Sequence, residues 1–377
     1  MKIEHITAYY LTNIPVETPP FREVPNRNSS VLLEIKADTG HVGWARCSNS
    51  HPIVVDFLNT FLGPELVGQD PFQITKVKNR LALGSGIGSG KGGLSSLHRG
   101  AWSAVDIALW DLKGQFFGKP VHHLFGGARD HVHVYITFGV PYGKEPEYSV
   151  EELVAEAKHW VSKGNKALKT VVGQKVRGQE VNPDAREDYR RLAAVREAVG
   201  PDIRIAVDGA YGMSLPETIR LCEAIRELDI AFLEEPLYEN DPLLLAHLRS
   251  RTSIPIAAAE TPRYSARQYL AAHAIDILQP NVSNDGGYTA GLGLAAMAKA
   301  FNTPIGHGNG SGPYNIALQA GVENGAEVEY HQHVWFAFNA IFDGVPQPED
   351  GHVTASLAPG TGLVPKDGLI DEFLARG

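Results

Sequence analysis

Between about residue 130 and residue 330, short apolar runs alternate with amphipathic stretches, and few folds accept such a chain. The runs are His131–Thr137, Ala167–Val172, Ile203–Val207, Ala231–Leu233, Ile254–Ala259, Ile275–Leu278, Pro304–Gly306 and Glu327–Tyr330. Helix signals fill the gaps. Ser149 with Glu152 forms a capping box ahead of Leu153, Ala157 and Trp160; Ser214 with Glu217 forms another ahead of Ile219, Cys222, Ile225 and Leu228. Asn182-Pro183 opens a further helix with proline at its first position. Strands joined through helices run parallel. Eight of them over about 200 residues predict a (β/α)₈ barrel rather than an open doubly wound sheet.

The first third predicts a mixed α+β layer. Ile3–Leu11 and Ser30–Ala37 are rich in β-branched and aromatic residues, and Asp38-Thr39-Gly40 turns the chain so that His41–Cys47 can return as a hairpin partner. A helix follows over Leu97–Gly114, with Ala101, Val105, Ala108, Leu109 and Leu112 on one side. Gly88, Gly90 and Gly93 satisfy G-x-G-x-x-G, but no strand precedes them. Gly90-Lys91 resembles the end of a phosphate loop, yet Ser85 and Gly92 stand where that loop needs Gly and Ser or Thr. Gly84–Gly93 therefore reads as a loop.

Composition narrows the function. With 43% apolar and 20% charged residues the chain reads as a soluble globular protein, and no apolar run approaches the roughly 20 residues of a membrane helix. Two cysteines, Cys47 and Cys222, are too few for a disulfide framework or a thiolate zinc site. The opening Met-Lys-Ile-Glu-His is charged where a signal peptide is apolar, so a cytoplasmic location is expected. A net charge of -9 without a basic cluster argues against nucleic acid and anionic membranes as partners.

Three of the apolar runs end in acid, at Asp208, Glu234 and Glu260, each 26 residues after the last. In a parallel barrel the reactive groups come from the C-terminal strand ends. Three carboxylates converging there repel one another unless a cation intervenes, and oxygen-only ligation favours a hard divalent ion, Mg²⁺ first. The competing reading is that each acid caps the next helix or pairs with an arginine. Strand alternation decides whether Glu234 or Glu235 points inward, and Glu234 is chosen.

Ala101-Trp-Ser-Ala-Val-Asp-Ile-Ala-Leu-Trp-Asp-Leu-Lys-Gly114, followed by Pro120 and Leu124-Phe-Gly-Gly127, resembles the segment joining cap to barrel in the enolase superfamily, most closely its mandelate racemase subgroup. The resemblance extends over the cap, the acid ladder and the tail Gly360-Thr-Gly-Leu363. It implies a modified (β/α)₇β barrel over residues 129–345 and an α+β capping domain over 1–128, completed by the segment 346–377. It also implies Mg²⁺ held by Asp208, Glu234 and Glu260, and a homo-oligomeric assembly.

The resemblance can be followed through the base positions. The subgroup often has Lys-x-Lys on the second barrel strand, with the second Lys as base; here Lys169-Thr170-Val171 keeps only the first. Lys169 can hold a substrate carboxylate, and lysine-based cycloisomerases and epimerases are disfavoured. His307 matches the histidine of the family's Asp-His dyad, and Asn281 stands at the Asp position. An Asn carbonyl can accept the imidazole N–H but cannot stabilise an imidazolium as a carboxylate would. Asp285 could replace it only if its loop bends back. Ala210 removes the polar group usual two residues past the first ligand, leaving Tyr211 as the next side chain that could turn inward. Glu329 matches a substrate-binding glutamate, with a surface acid as the bland alternative. In the cap loop, Phe21 and Arg22 are expected to cover the site, Arg22 pairing an anionic substrate group.

One base suits one-sided chemistry, so the expected reaction is dehydration of an acid sugar to a 2-keto-3-deoxy acid, with His307 as the proton-transfer residue assisted by Lys169, Asn281 and Glu329. The alternatives are an epimerase, racemase or lactone cycloisomerase, and a catalytically silent member that binds metal or a sugar acid.

Overall fold

The computed structural model describes residues 1–18, 20–21, 26–84, 96–140, 148–173, 184–260 and 264–375. Strands β1 (Ile3–Pro15), β2 (Arg27–Ala37) and β3 (Val42–Arg46) form an antiparallel sheet in that order, and the β2–β3 register pairs Leu32 with Arg46 and Lys36 with Val42. The expected hairpin is present. The helix Ser96–Phe117 lies against this sheet, and Ala101, Val105, Ala108, Leu109 and Leu112 are fully buried. Their approach is close enough to require glycine at 43, where a Cβ would come within 2.1 Å of the Ala108 carbonyl oxygen.

The barrel strands are β4 (His131–Thr137), β5 (Ala167–Val171), β6 (Arg204–Asp208), β7 (Ile230–Glu234), β8 (Ile256–Ala258), β9 (Ile277–Leu278) and β10 (Glu327–His331). They pair in parallel in the order β10-β4-β5-β6-β7-β8-β9. Ile305 closes the ring through parallel bridges to Leu278 and to Gly325. The seventh strand expected at Pro304–Gly306 is thus shortened to a single bridging residue. Both capping boxes form as expected. The helix expected to open at Pro183 instead begins at Ala185: the Asp184 carboxylate accepts from the Arg186 N–H and supplies the cap. Residue 183 itself lies outside the described residues, as do residues 85–93 of the glycine-rich stretch.

The C-terminal segment returns to the cap. His352–Thr354 pairs antiparallel with the start of β4, Asp111 receives the backbone N–H of Thr361 at 2.7 Å, and Ala375 donates to the Tyr10 carbonyl at 2.9 Å. No helix among the described residues is long and apolar enough to cross a membrane.

Candidate active site

Strand alternation builds the interior of the barrel in layers. Tyr135, Ala167, Ala206, Phe232 and Ala257 form an apolar cluster inside the ring. Two residues further along the same strands, and so on the same face, stand Thr137, Lys169, Asp208 and Glu234. The parity that buries Phe232 inside the barrel therefore aims Glu234 inward. Glu235 turns aside: it has a φ of 36° and its carboxylate accepts the backbone N–H groups of Ala259 and Glu260 at 2.8 and 2.9 Å, and the Asn240 amide. It ties the end of β7 to the end of β8.

Lys169 is the electrostatic centre. Its ammonium lies 2.5 Å from Glu234 Oε1, 3.2 Å from Asp208 Oδ2 and 3.1 Å from Glu329 Oε1. Burial disfavours the cation, but Glu234, Glu329, Tyr135 and Asp208 outweigh it and hold the pKa well above the ordinary lysine value. Glu260, two residues past β8, points to the same place, because a Cβ on Gly308 would lie 2.8 Å from both Glu234 Oε1 and Glu260 Oε2. A side chain at 308 would push these two carboxylate ends aside. Asp208, Glu234 and Glu329 thus share one ammonium, and Glu260 stands beside Glu234. Burial pushes Glu234 up to about 8, and burial with the neighbouring carboxylates raises Glu260 well above the usual range. Such a surplus of oxygen donors and negative charge fits a hard divalent cation such as Mg²⁺.

Glu329 is no surface acid. It is buried, accepts from Thr137 Oγ1 at 2.5 Å and from the Gly310 N–H at 2.8 Å, and faces Lys169. Burial works to raise its pKa, but Lys169 and these donors win, and it is held well below the usual carboxylate range.

His307 is fully buried, which brings its pKa down to about 4, so the ring is neutral at pH 7. Its Nδ1 accepts the Glu329 backbone N–H at 3.3 Å, and its Nε2 is buried with no protein partner among the described residues. The pairing of His307 with Asn281 is not formed. The Asn281 carbonyl oxygen is already taken by the Ser283 N–H at 3.0 Å and Asn315 Nδ2 at 3.1 Å, and its amide donates to the Gly308 and Asn309 carbonyls. Asn281 braces the loop that carries His307 rather than its imidazole. Asp285 does bend back, but onto the Asn281 backbone N–H at 2.8 Å.

After β6 the chain turns sharply. Ala210 and Tyr211 have positive φ, the Ala210 N–H caps Asp208 Oδ1 at 2.8 Å, and the Tyr211 N–H donates to the Glu235 carbonyl. Phe21 packs edge-on against His159, with ring centroids 5.2 Å apart; Arg22 lies outside the described residues. Sequence reasoning missed three residues here. Gln279 donates to Glu234 Oε2 at 2.8 Å, the Tyr135 hydroxyl donates to the His307 carbonyl at 2.5 Å, and Thr137 holds Glu329. Parity could have found all three: Gln279 is two residues from Asn281, and Tyr135 and Thr137 close the first barrel strand.

Residues 8–126 match the family model described as mandelate racemase / muconate lactonizing enzyme, N-terminal domain, and residues 152–369 match that described as enolase C-terminal domain-like. The chain is similar to D-galactarolactone cycloisomerase of Agrobacterium fabrum, at 33% identity over 81% of this chain and 78% of that one. It is similar to arabinonate dehydratase of Saccharolobus solfataricus, at 29% identity over 92% and 91%. Among solved structures, a racemase from Streptomyces coelicolor with bound magnesium superposes with a TM-score of 0.82 at 27% identity, covering 99% of this chain and 100% of that one. The fold, the strand-end carboxylates and these matches agree: the chain belongs to the mandelate racemase / muconate lactonizing enzyme family of the enolase superfamily.

Proposed function

We propose that the protein is a Mg²⁺-dependent acid-sugar dehydratase, removing the proton α to a carboxylate and expelling the β-hydroxide as water to leave a 2-keto-3-deoxy acid. The observation that carries this reading is the pairing of Asp208 and Glu234 with one buried ammonium, with Glu260 meeting Glu234 at Gly308 and one neutral imidazole nearby. Mg²⁺ held by those three carboxylates would offset the negative charge that develops on the substrate carboxylate as the proton leaves. Lys169 adds fixed positive charge in a water-poor site, where it acts most strongly. Glu329, ionised and fastened by Thr137 and Gly310, orients that ammonium.

His307 moves the protons. With Nδ1 held as an acceptor, its resting proton sits on Nε2, the nitrogen left free for substrate. That state suits delivery of a proton to the departing hydroxide. Abstraction by the same nitrogen requires the proton to shift to Nδ1, which breaks the 3.3 Å contact with the Glu329 N–H. A single imidazole serving one face favours elimination over two-base racemisation. A second reading, lactone cycloisomerase, is supported by the 33% identity to D-galactarolactone cycloisomerase. A cytoplasmic homo-oligomer remains part of the proposal.

The test is a pooled acid-sugar library incubated with protein and Mg²⁺ in deuterated water and read by mass spectrometry. The dehydratase reading expects one member to lose water, with the loss abolished by EDTA and by His307→Asn. Isomerisation, or a one-unit mass gain, without water loss would replace it by the isomerase reading. No change in any acid sugar, with Mg²⁺ binding confirmed by calorimetry, would overturn both.

A further inference from the structure

A second cluster of ligating groups lies at the opposite end of the barrel, before the N-terminus of β4. One nitrogen from each of His122 and His123 and an oxygen of Asp130 fall within 4.8 Å of one another. The backbone brings them together. Gly126 and Gly127 have φ of 133° and 60° and reverse the chain after the short helix Val121–Phe125, and the Gly127 N–H donates to the His122 carbonyl at 2.9 Å. Arg129 then fastens the returning strand, donating to the carbonyls of Gln319, Val322 and Glu323 at 2.5 to 3.0 Å. The Asp130 carbonyl accepts the Ala355 N–H at 2.9 Å. All three donors therefore stand on fixed backbone.

His122 is 1% exposed, and its Nε2 is buried without a hydrogen-bond partner among the described residues. Burial, and then the neighbouring His123, hold its pKa below the ordinary value, so the ring is neutral and offers a lone pair at pH 7. His123 and Asp130 are exposed, which gives an ion a way in.

We propose that His122, His123 and Asp130 form a second metal site, which takes Zn²⁺. Two imidazoles and one carboxylate are a borderline nitrogen-and-oxygen set that suits Zn²⁺ and disfavours Mg²⁺, whereas the all-oxygen mouth has the reverse preference. Donors around a tetrahedral Zn²⁺ sit about 3.3 Å apart, within reach of side-chain rotations from the observed spacing. Three protein ligands leave a fourth position for water. The bound ion would clip the end of the cap to the entry of the first barrel strand.

The full-length chain, stripped with EDTA and returned to saturating Mg²⁺, would be titrated calorimetrically with ZnCl₂. One Zn²⁺ per chain is expected, weakened at least tenfold by His123→Ala and by Asp130→Asn. Zn²⁺ should raise the Tm of the wild type and not that of His123→Ala, whose metal-free Tm should match the wild type and so report an intact fold. His352→Ala serves as the control, because His352 and His133 form a separate pair of tilted rings with centroids 4.5 Å apart. No stoichiometric binding, equal affinity in all variants, or loss through His352→Ala alone would overturn the assignment.

Discussion

Asp111 and Glu234 are both fully buried carboxylates, and they are satisfied by opposite means. Asp111, at the seam between cap and tail, receives four neutral donors at 2.7 to 3.0 Å: the Thr361 N–H and hydroxyl, the Trp44 N–H and the Gln115 amide. No cation takes part in these bonds. Glu234 shares one ammonium with Asp208 and Glu329 and abuts Glu260 across Gly308. Dipoles fixed by the fold make an acid structural. Anions crowded beyond the capacity of their one lysine leave charge that the proposed divalent cation would offset.

The sharpest way to break this comparison is to neutralise one member of each region. Glu234→Gln should lower kcat/KM by 10⁴-fold or more, about 5 kcal/mol of transition-state stabilisation, while the metal-free Tm changes little because glutamine keeps the shape and Asp208 and Glu329 still pair Lys169. A large fall in Tm would make Glu234 a structural acid like Asp111. His307→Asn follows, with an expected loss of about 10³-fold, roughly 4 kcal/mol, and unchanged Mg²⁺ affinity by calorimetry. Retained turnover would move the proton transfer to another group.

Asp111→Asn should act on stability alone. Burial raises its pKa from 3.8 to about 6, so the folded protein binds the proton more tightly than the unfolded chain. That contribution is fully present below about pH 4 and is lost as the pH rises through about 6; a two-unit shift is on the order of 3 kcal/mol. Denaturant unfolding from pH 4 to 7 should show a shallower fall in stability for the variant, with turnover intact at pH 7. A parallel profile would mean that Asp111 is ionised without cost.

The two regions also differed in how far the sequence revealed them. The barrel was legible because apolar runs and helix caps repeat, and the acid ladder because it falls in step with that repeat. Pro304–Gly306 reduced to a bridge at Ile305 because its run is too short to form a ladder. Asn281 was expected to contact the imidazole. Its side chain instead braces a loop, and no spacing rule anticipates that Ser283 and Asn315 claim its carbonyl first. The four-donor cage of Asp111 was invisible for a related reason: two of its donors come from Thr361, 250 residues away.

The smallest expected effect tests the comparison within a single dipeptide. Glu234 and Glu235 are adjacent, both buried and both raised in pKa by burial, yet one belongs to the mouth and the other to the scaffold. The Glu235 carboxylate accepts two backbone N–H groups from the end of β8, and a glutamine oxygen in the same place can accept both. The bonds from the Asn240 amide and the Tyr211 side chain would rearrange. Glu235→Gln should therefore cost less than about 1 kcal/mol and leave Mg²⁺ affinity within about threefold. Glu234→Gln, which removes a carboxylate from the inward-facing layer, should weaken Mg²⁺ binding far more. Calorimetric titration of both variants checks the order. If Glu235→Gln proved the more damaging to Mg²⁺ binding, the inward layer would have to be rebuilt on the other parity, and Phe232 could not lie inside the barrel beside Tyr135.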